Sequence, residues 1–152
     1  MFSKELGQKL DQYHLLKHPF YQVYLGAATL SGAAPVFVPS TQKTNFLPDF
    51  HSLDPEVLNR TALAYYCTPA NPQGTAASLE TLTRNIELAR KYDFVIVFDE
   101  CYSEIYNDRP PSGGIEACAA LGGSLDHVLI MNSLSTLYRD TLTINLNFLQ
   151  KI

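Results

Sequence analysis

The spacing of apolar residues changes several times along the chain, and each change marks an element. Phe2, Leu6, Leu10 and Tyr13 recur at helical spacing. They predict an N-terminal helix that His18-Pro19 would end, because the residue before a proline is pushed out of the helical region. A second helix is predicted from Tyr21 to about Leu30, closed by Ser31-Gly32, and Pro35 to Val38 reads as a short strand. Asp54-Pro55 has the form of an N-cap followed by proline at the first helical position, which suits a short helix through Asn59.

The clearest unit follows. Ala62 to Cys67 is a continuous apolar strand, Ser78 to Lys91 an amphipathic helix with Leu79, Leu82, Ile86 and Ala89 inward, and Phe94 to Phe98 a second buried strand. Glu80 near the start of that helix and Arg90-Lys91 at its end complement its dipole. Strand, helix, strand with both strands apolar on both faces is a crossover in a parallel sheet. A third buried strand, His127 to Met131, follows a helix around Glu116 to Leu121. The fold class is therefore α/β, a mostly parallel sheet with flanking helices. Polar or turn-forming residues follow each of the three strands: Thr68 to Gly74, Asp99-Glu100 and Asn132-Ser133. Ligands of open parallel sheets sit beyond the carboxyl ends of the strands, so one crevice is nominated by pattern alone.

Composition narrows the partners. A chain of 152 residues, 46% apolar, can bury one core. A net charge of −4 without a Lys/Arg cluster argues against a nucleic-acid surface, which needs a concentrated positive field. Ala62 to Cys67, the longest apolar run, falls far short of the roughly 20 residues that cross a bilayer, and the opening residues lack a signal-peptide core. Cys67, Cys101 and Cys118 are odd in number and form no CxxC pair, which fits reduced thiols in a cytoplasmic protein. His14 and His18 are four apart, but Pro19 breaks the helix and no third ligand is evident, so no metal site is expected.

The nominated crevice has its own chemistry. Two prolines and a glycine surround Asn71 in Thr68-Pro-Ala-Asn-Pro-Gln-Gly74, which fixes the backbone where a side-chain amide must point in a set direction; taken alone, the same segment is also a plain βα turn. Asp99 follows a fully apolar strand and needs a cation or hydrogen-bond donors, whether from a ligand or from backbone amides. Asn132-Ser-Leu-Ser135 is weaker, since hydroxyls after a strand are common.

Taken in order, His18-Pro-Phe-Tyr-Gln-Val-Tyr24, Asn71-Pro-Gln-Gly74, Phe98-Asp-Glu-Cys-Tyr-Ser-Glu-Ile-Tyr106 and Asn132-Ser-Leu-Ser135 resemble the fold-type-I, class I/II aminotransferases that depend on pyridoxal 5'-phosphate, particularly the succinyldiaminopimelate aminotransferase branch. The resemblance covers about residues 18 to 135, part of the large, cofactor-binding domain; residues 1–17 lie before it and 136–152 form a divergent tail. It implies amino-group transfer between an amino acid and a 2-oxo acid, and an active site at a dimer interface. It also implies roles: Tyr21 stacking on the pyridine ring, Asn71 and Tyr102 hydrogen-bonding its phenolic oxygen, Asp99 pairing with the protonated ring nitrogen, and Ser133, with Ser135 less firmly, contacting the phosphate.

The departures carry equal weight. The family places the lysine that binds the cofactor covalently directly after Ser-x-Ser, where this chain has Thr136, and a hydroxyl cannot form an imine. None of Lys4, Lys9, Lys17, Lys43, Lys91 and Lys151 falls in the matching motif. The family's glycine-rich phosphate loop has no counterpart in residues 1–17. Arg139 does not match the phosphate-binding arginine, and the domain carrying the arginine for the substrate carboxylate is absent. These gaps lead to three expectations: a truncated or frame-shifted product inactive by itself, a non-enzymatic interaction module, or one part of a split enzyme completed by a complementing chain.

Overall fold

The computed structural model describes residues 12–133. Five strands form one all-parallel sheet in the order β2-β1-β3-β4-β5: β1 is Tyr13–His18, β2 Ala34–Pro39, β3 Thr61–Cys67, β4 Val95–Asp99 and β5 Val128–Met131. The chain builds outward in one direction from β1 to β2 and in the other from β3 to β5. A switch point therefore falls between β1 and β3, where ligands of such sheets bind.

Four helices connect the strands: α1 Gln22–Ser31, α2 Pro55–Asn59, α3 Leu79–Tyr92 and α4 Gly114–Ala120. Their ends follow local chemistry. Asp54 Oδ1 accepts the Glu56 amide at 2.8 Å ahead of Pro55, and Ser78 Oγ accepts the Thr81 amide at 3.2 Å to start α3. Gly32 ends α1 in the left-handed conformation at φ 73°, which only glycine adopts without cost.

Alternation along the strands feeds two cores. Leu15, Ala64, Tyr66, Ile96 and Phe98 point to one face, where Leu82, Ile86 and Ala89 of α3 and Ala117 and Cys118 of α4 cover them. Leu16, Tyr65 and Val97 point to the other, against Tyr24 of α1. Asn85 joins the buried stripe of α3, whereas Leu79 packs only at its margin. Leu129 and Met131 of the edge strand β5 are left exposed.

The N-terminal expectation needs correction. Residues 1–11 lie outside the described residues, but Tyr13–His18 is a strand and not the end of a helix. Leu15 and Leu16 are both fully buried, on opposite faces, which a strand achieves and one helical stripe does not. Pairing with β2 and β3 on both sides makes β1 a central strand, and these partners lie at least 20 residues downstream.

Candidate functional site

The carboxyl ends of β3, β4 and β5 lie side by side. Cys67 pairs with Asp99 and Asp99 with Met131, while the Thr68 amide donates to the Asp99 carbonyl at 3.0 Å and the Glu100 amide to the Met131 carbonyl at 2.8 Å. The segment after β3 and the turn after β4 therefore emerge together. There Asn71 Nδ2 donates to the Tyr102 hydroxyl at 2.9 Å, so two of the residues expected to share a ligand atom touch each other.

Asp99 is buried. Its Oδ1 accepts the Cys101 amide at 3.2 Å, and its Oδ2 accepts the Tyr24 hydroxyl. Burial, and after it the hydrogen bond to and charge of Asp99, push the Tyr24 phenol well above its ordinary range, so Tyr24 is a donor. The Cys101 thiol is pushed up to about 12 by burial and then by Asp99, and it stays protonated at neutral pH. The Glu100 carboxyl is also raised, chiefly by burial. The Gly114 amide opposes this shift by donating to Oε1 at 2.6 Å, which ties α4 to the turn.

Tyr21, at the N-cap of α1, is 63% exposed and meets Tyr24 edge-on with ring centroids 5.7 Å apart. Tyr24 stacks on Tyr65 at 4.3 Å, so the aromatic series runs from an open face to the Asp99 carboxylate. Ser133 is half-buried two residues beyond Met131, and its amide donates to Asn132 Oδ1 at 2.7 Å. Of the five residues singled out in the sequence, Asn71 and Tyr102 are in contact, Tyr21 reaches Asp99 through Tyr24, and Ser133 stands on the neighbouring strand end. Ser135, Thr136 and Arg139 lie outside the described residues.

Sequence reasoning did not single out Tyr24 or Lys17. Tyr24 lies three positions after Tyr21 on α1, a spacing that places both on one helix face and could have linked them. Lys17, 3% exposed, gives Nζ to the Asn71 carbonyl and to Gln73 Oε1, each at 3.1 Å. Burial lowers its pKa, and the nearby Cys67 opposes that shift.

A cavity of about 560 Å³ lies elsewhere, between residues 43–52 and α3, with Lys43, Asp49, His51, Tyr66, Arg84 and Asn85 among its lining. None of the five candidate residues reaches it. The Tyr66 hydroxyl makes no hydrogen bond of good geometry there, although Asn85 lies close enough to offset part of the rise that burial imposes on the phenol. Size alone does not make this cavity the candidate site, since Asp99, Asn71 and Tyr102 lie outside it, on adjacent strand ends. Among the described residues no cluster of His, Cys, Asp and Glu is arranged to hold a metal, and no helix is long and apolar enough to cross a membrane.

Comparison with known proteins agrees with this architecture. The family model for aminotransferase class I and II matches residues 11–138, beginning before His18 and running past Ser135. The LL-diaminopimelate aminotransferase of Halothermothrix orenii is 39% identical over 100 residues, covering 64% of this chain and 26% of that protein. Its counterpart from Aquifex aeolicus is 32% identical over 129 residues, 84% of this chain and 32% of the relative. An aminotransferase structure from Neisseria meningitidis superimposes with a TM-score of 0.76 at 38% identity, covering 82% of this chain and 32% of that one. The chain thus spans about a quarter to a third of the length of these relatives. With a match across most of its length and a parallel sheet superimposable on a solved member, this chain belongs to the class I and II aminotransferases.

Proposed function

We propose that the crevice at the ends of β3, β4 and β5 is a remnant pyridoxal 5'-phosphate site that binds the cofactor without covalent attachment. The observation that carries this reading is the pairing of a buried carboxylate, Asp99, with the Asn71–Tyr102 couple on adjacent strand ends. These residues fit the group. Asp99 already accepts from the Tyr24 hydroxyl and from Cys101, but a carboxylate has further lone pairs and can accept from a protonated pyridine nitrogen. Tyr24 and the Cys101 amide hold that carboxylate in place. Asn71 and Tyr102 supply hydrogen bonds to the phenolic oxygen, Tyr21 a flat face for the ring, and Ser133 a hydroxyl for the phosphate. When bound in this family, the cofactor acts as an electron sink for a substrate carbanion.

Amino-group transfer between an amino acid and a 2-oxo acid is the reaction of the family. For this chain by itself the proposal stops at binding, because Thr136 offers no amine for covalent attachment or proton transfer. That residue favours a second reading, in which the chain acts without catalysis or as one part of an assembly whose complementing chain brings the lysine. A homodimer would not bring it, since a second copy carries Thr136 too. A cytoplasmic location fits either reading.

Titrating the full chain with pyridoxal 5'-phosphate, followed by borohydride and peptide mapping, tests the proposal. Saturable binding that Asp99→Ala abolishes, with no lysine stoichiometrically labelled, is expected. A stoichiometric adduct on one lysine with turnover of an amino donor would overturn the non-covalent reading. Absence of any binding would overturn the crevice.

A further inference from the structure

Lys17 is the residue before last of β1, next to Leu15 and Leu16 in a strand that lies inside the sheet between β2 and β3. An ammonium in that position is costly: removing it from water is worth several kcal/mol unless its protons are satisfied. Two oxygens accept from it, the Asn71 carbonyl and Gln73 Oε1, and both belong to the turn after β3. The contact spans the switch point between β1 and β3, from one strand end to the loop that rises from the next.

The turn is otherwise held at its base. The Ala70 amide donates to the Thr75 carbonyl at 2.8 Å, the Gly74 amide to the Ala70 carbonyl at 2.6 Å, and the Ala77 amide to Thr68 Oγ1 at 2.9 Å. Lys17 instead grips the exposed tip, at the residue whose side chain carries the chemistry. The Asn71 carbonyl and side chain branch from one Cα, so holding the carbonyl limits where the amide can point. That amide donates to Tyr102.

We infer that Lys17 is a positioning residue of the crevice: its ammonium pins the turn Asn71-Pro72-Gln73 and thereby aims the Asn71 amide at the Tyr102 phenol. The inference rests on the cofactor reading of the crevice for its functional consequence, but its geometry stands apart from that reading. Lys17 is not a substitute for the missing attachment lysine, since at 3% exposure beneath the turn its amine is closed to an aldehyde. The two hydrogen bonds offset part of its burial cost, and the same bonds orient the Asn71 amide, which an apolar residue at this position of β1 could not do.

The test is a double-mutant cycle on the full chain with two readouts: the Asn71 side-chain amide resonance, assigned by its loss in Asn71→Ala, and pyridoxal 5'-phosphate affinity by absorbance. Lys17→Met is expected to move the amide resonance toward that of a solvent-exposed asparagine and to raise Kd roughly tenfold, about the effect of losing one well-placed hydrogen bond. Lys17→Met with Asn71→Ala is expected to bind no more weakly than the weaker single variant, because both act through one amide. An unmoved resonance, or losses that multiply, overturns the inference. If Lys17→Met does not fold, Gln73→Ala leaves the ammonium one acceptor and is expected to shift the resonance in the same direction by less; no shift overturns the inference. Should the unmutated chain bind no cofactor, the cofactor reading fails, and the resonance alone still decides whether Lys17 aims Asn71.

Discussion

The Asn71 side-chain amide and the Tyr102 hydroxyl meet at 2.9 Å, joining the segment after β3 to the turn after β4. Neither residue is part of the core, so the bond does little for folding. Tyr102→Phe is expected to leave stability within about 0.5 kcal/mol of the unmutated chain while weakening pyridoxal 5'-phosphate binding several-fold. Denaturant unfolding beside a cofactor titration checks it. Equal losses in both would make the pair structural.

The Tyr24 hydroxyl serves a buried group, and its removal has the opposite signature. Tyr24→Phe leaves Asp99 Oδ2 without its phenolic donor in a low-dielectric site. A loss of about 1–3 kcal/mol is expected, with the midpoint of urea unfolding lowered and its slope unchanged. No change in midpoint would mean that the hydroxyl and carboxylate are not paired in solution.

Cys101 reports on the charge of Asp99. Its thiol is held up to about 12 by burial first and then by Asp99, against an ordinary 9.0. Alkylation by iodoacetamide at pH 8 is expected to be at least about tenfold slower than for a free thiol, because the thiolate is the nucleophile. Asp99→Asn removes the charge and is expected to speed the reaction. The linked effect on folding has a definite sign. Between pH 9 and 12 the folded chain keeps a proton that the unfolded chain releases, so this thiol contributes less stability as the pH rises through that interval. An alkylation rate unchanged by Asp99→Asn would separate the two groups.

Gly114 starts α4 where a methyl group has no room. A Cβ there would lie 2.6 Å from Cδ2 of Phe98, in the core, and 3.3 Å from Cδ1 of Ile130, which packs against it. Gly114→Ala is expected to destabilise by about 1–3 kcal/mol and to disturb the amide that donates to Glu100. Thermal unfolding measures the first effect. An unchanged Tm would show that Phe98 gives way at little cost.

What could be read from the sequence was what neighbours along the chain decide. Asp54 as a cap ahead of Pro55, the inward stripe of Leu82, Ile86 and Ala89, and the apolar runs of β3 and β4 are local signals, and they appear in the fold where expected. At β1 the helical spacing of Phe2, Leu6, Leu10 and Tyr13 points the wrong way, and His14 and Lys17, polar in the sequence, are buried in a strand. Lys17 finds its oxygens 54 and 56 residues downstream, a relation that no local pattern contains. The candidate site was proposed from an ordered set of residue types at strand ends. Its supports were not: Tyr24 reaches Asp99 across 75 residues, and Glu100 receives Gly114 across 14.

Mapping pyridoxal 5'-phosphate onto the full chain by amide chemical shifts decides whether the strand ends of β3, β4 and β5 hold the cofactor. Saturable perturbations are expected at Asn71, Asp99, Cys101, Tyr102 and Ser133, with residues around the other cavity, such as His51 and Arg84, unmoved. Perturbations confined to His51, Arg84 and their neighbours, with the strand ends silent, would contradict that placement.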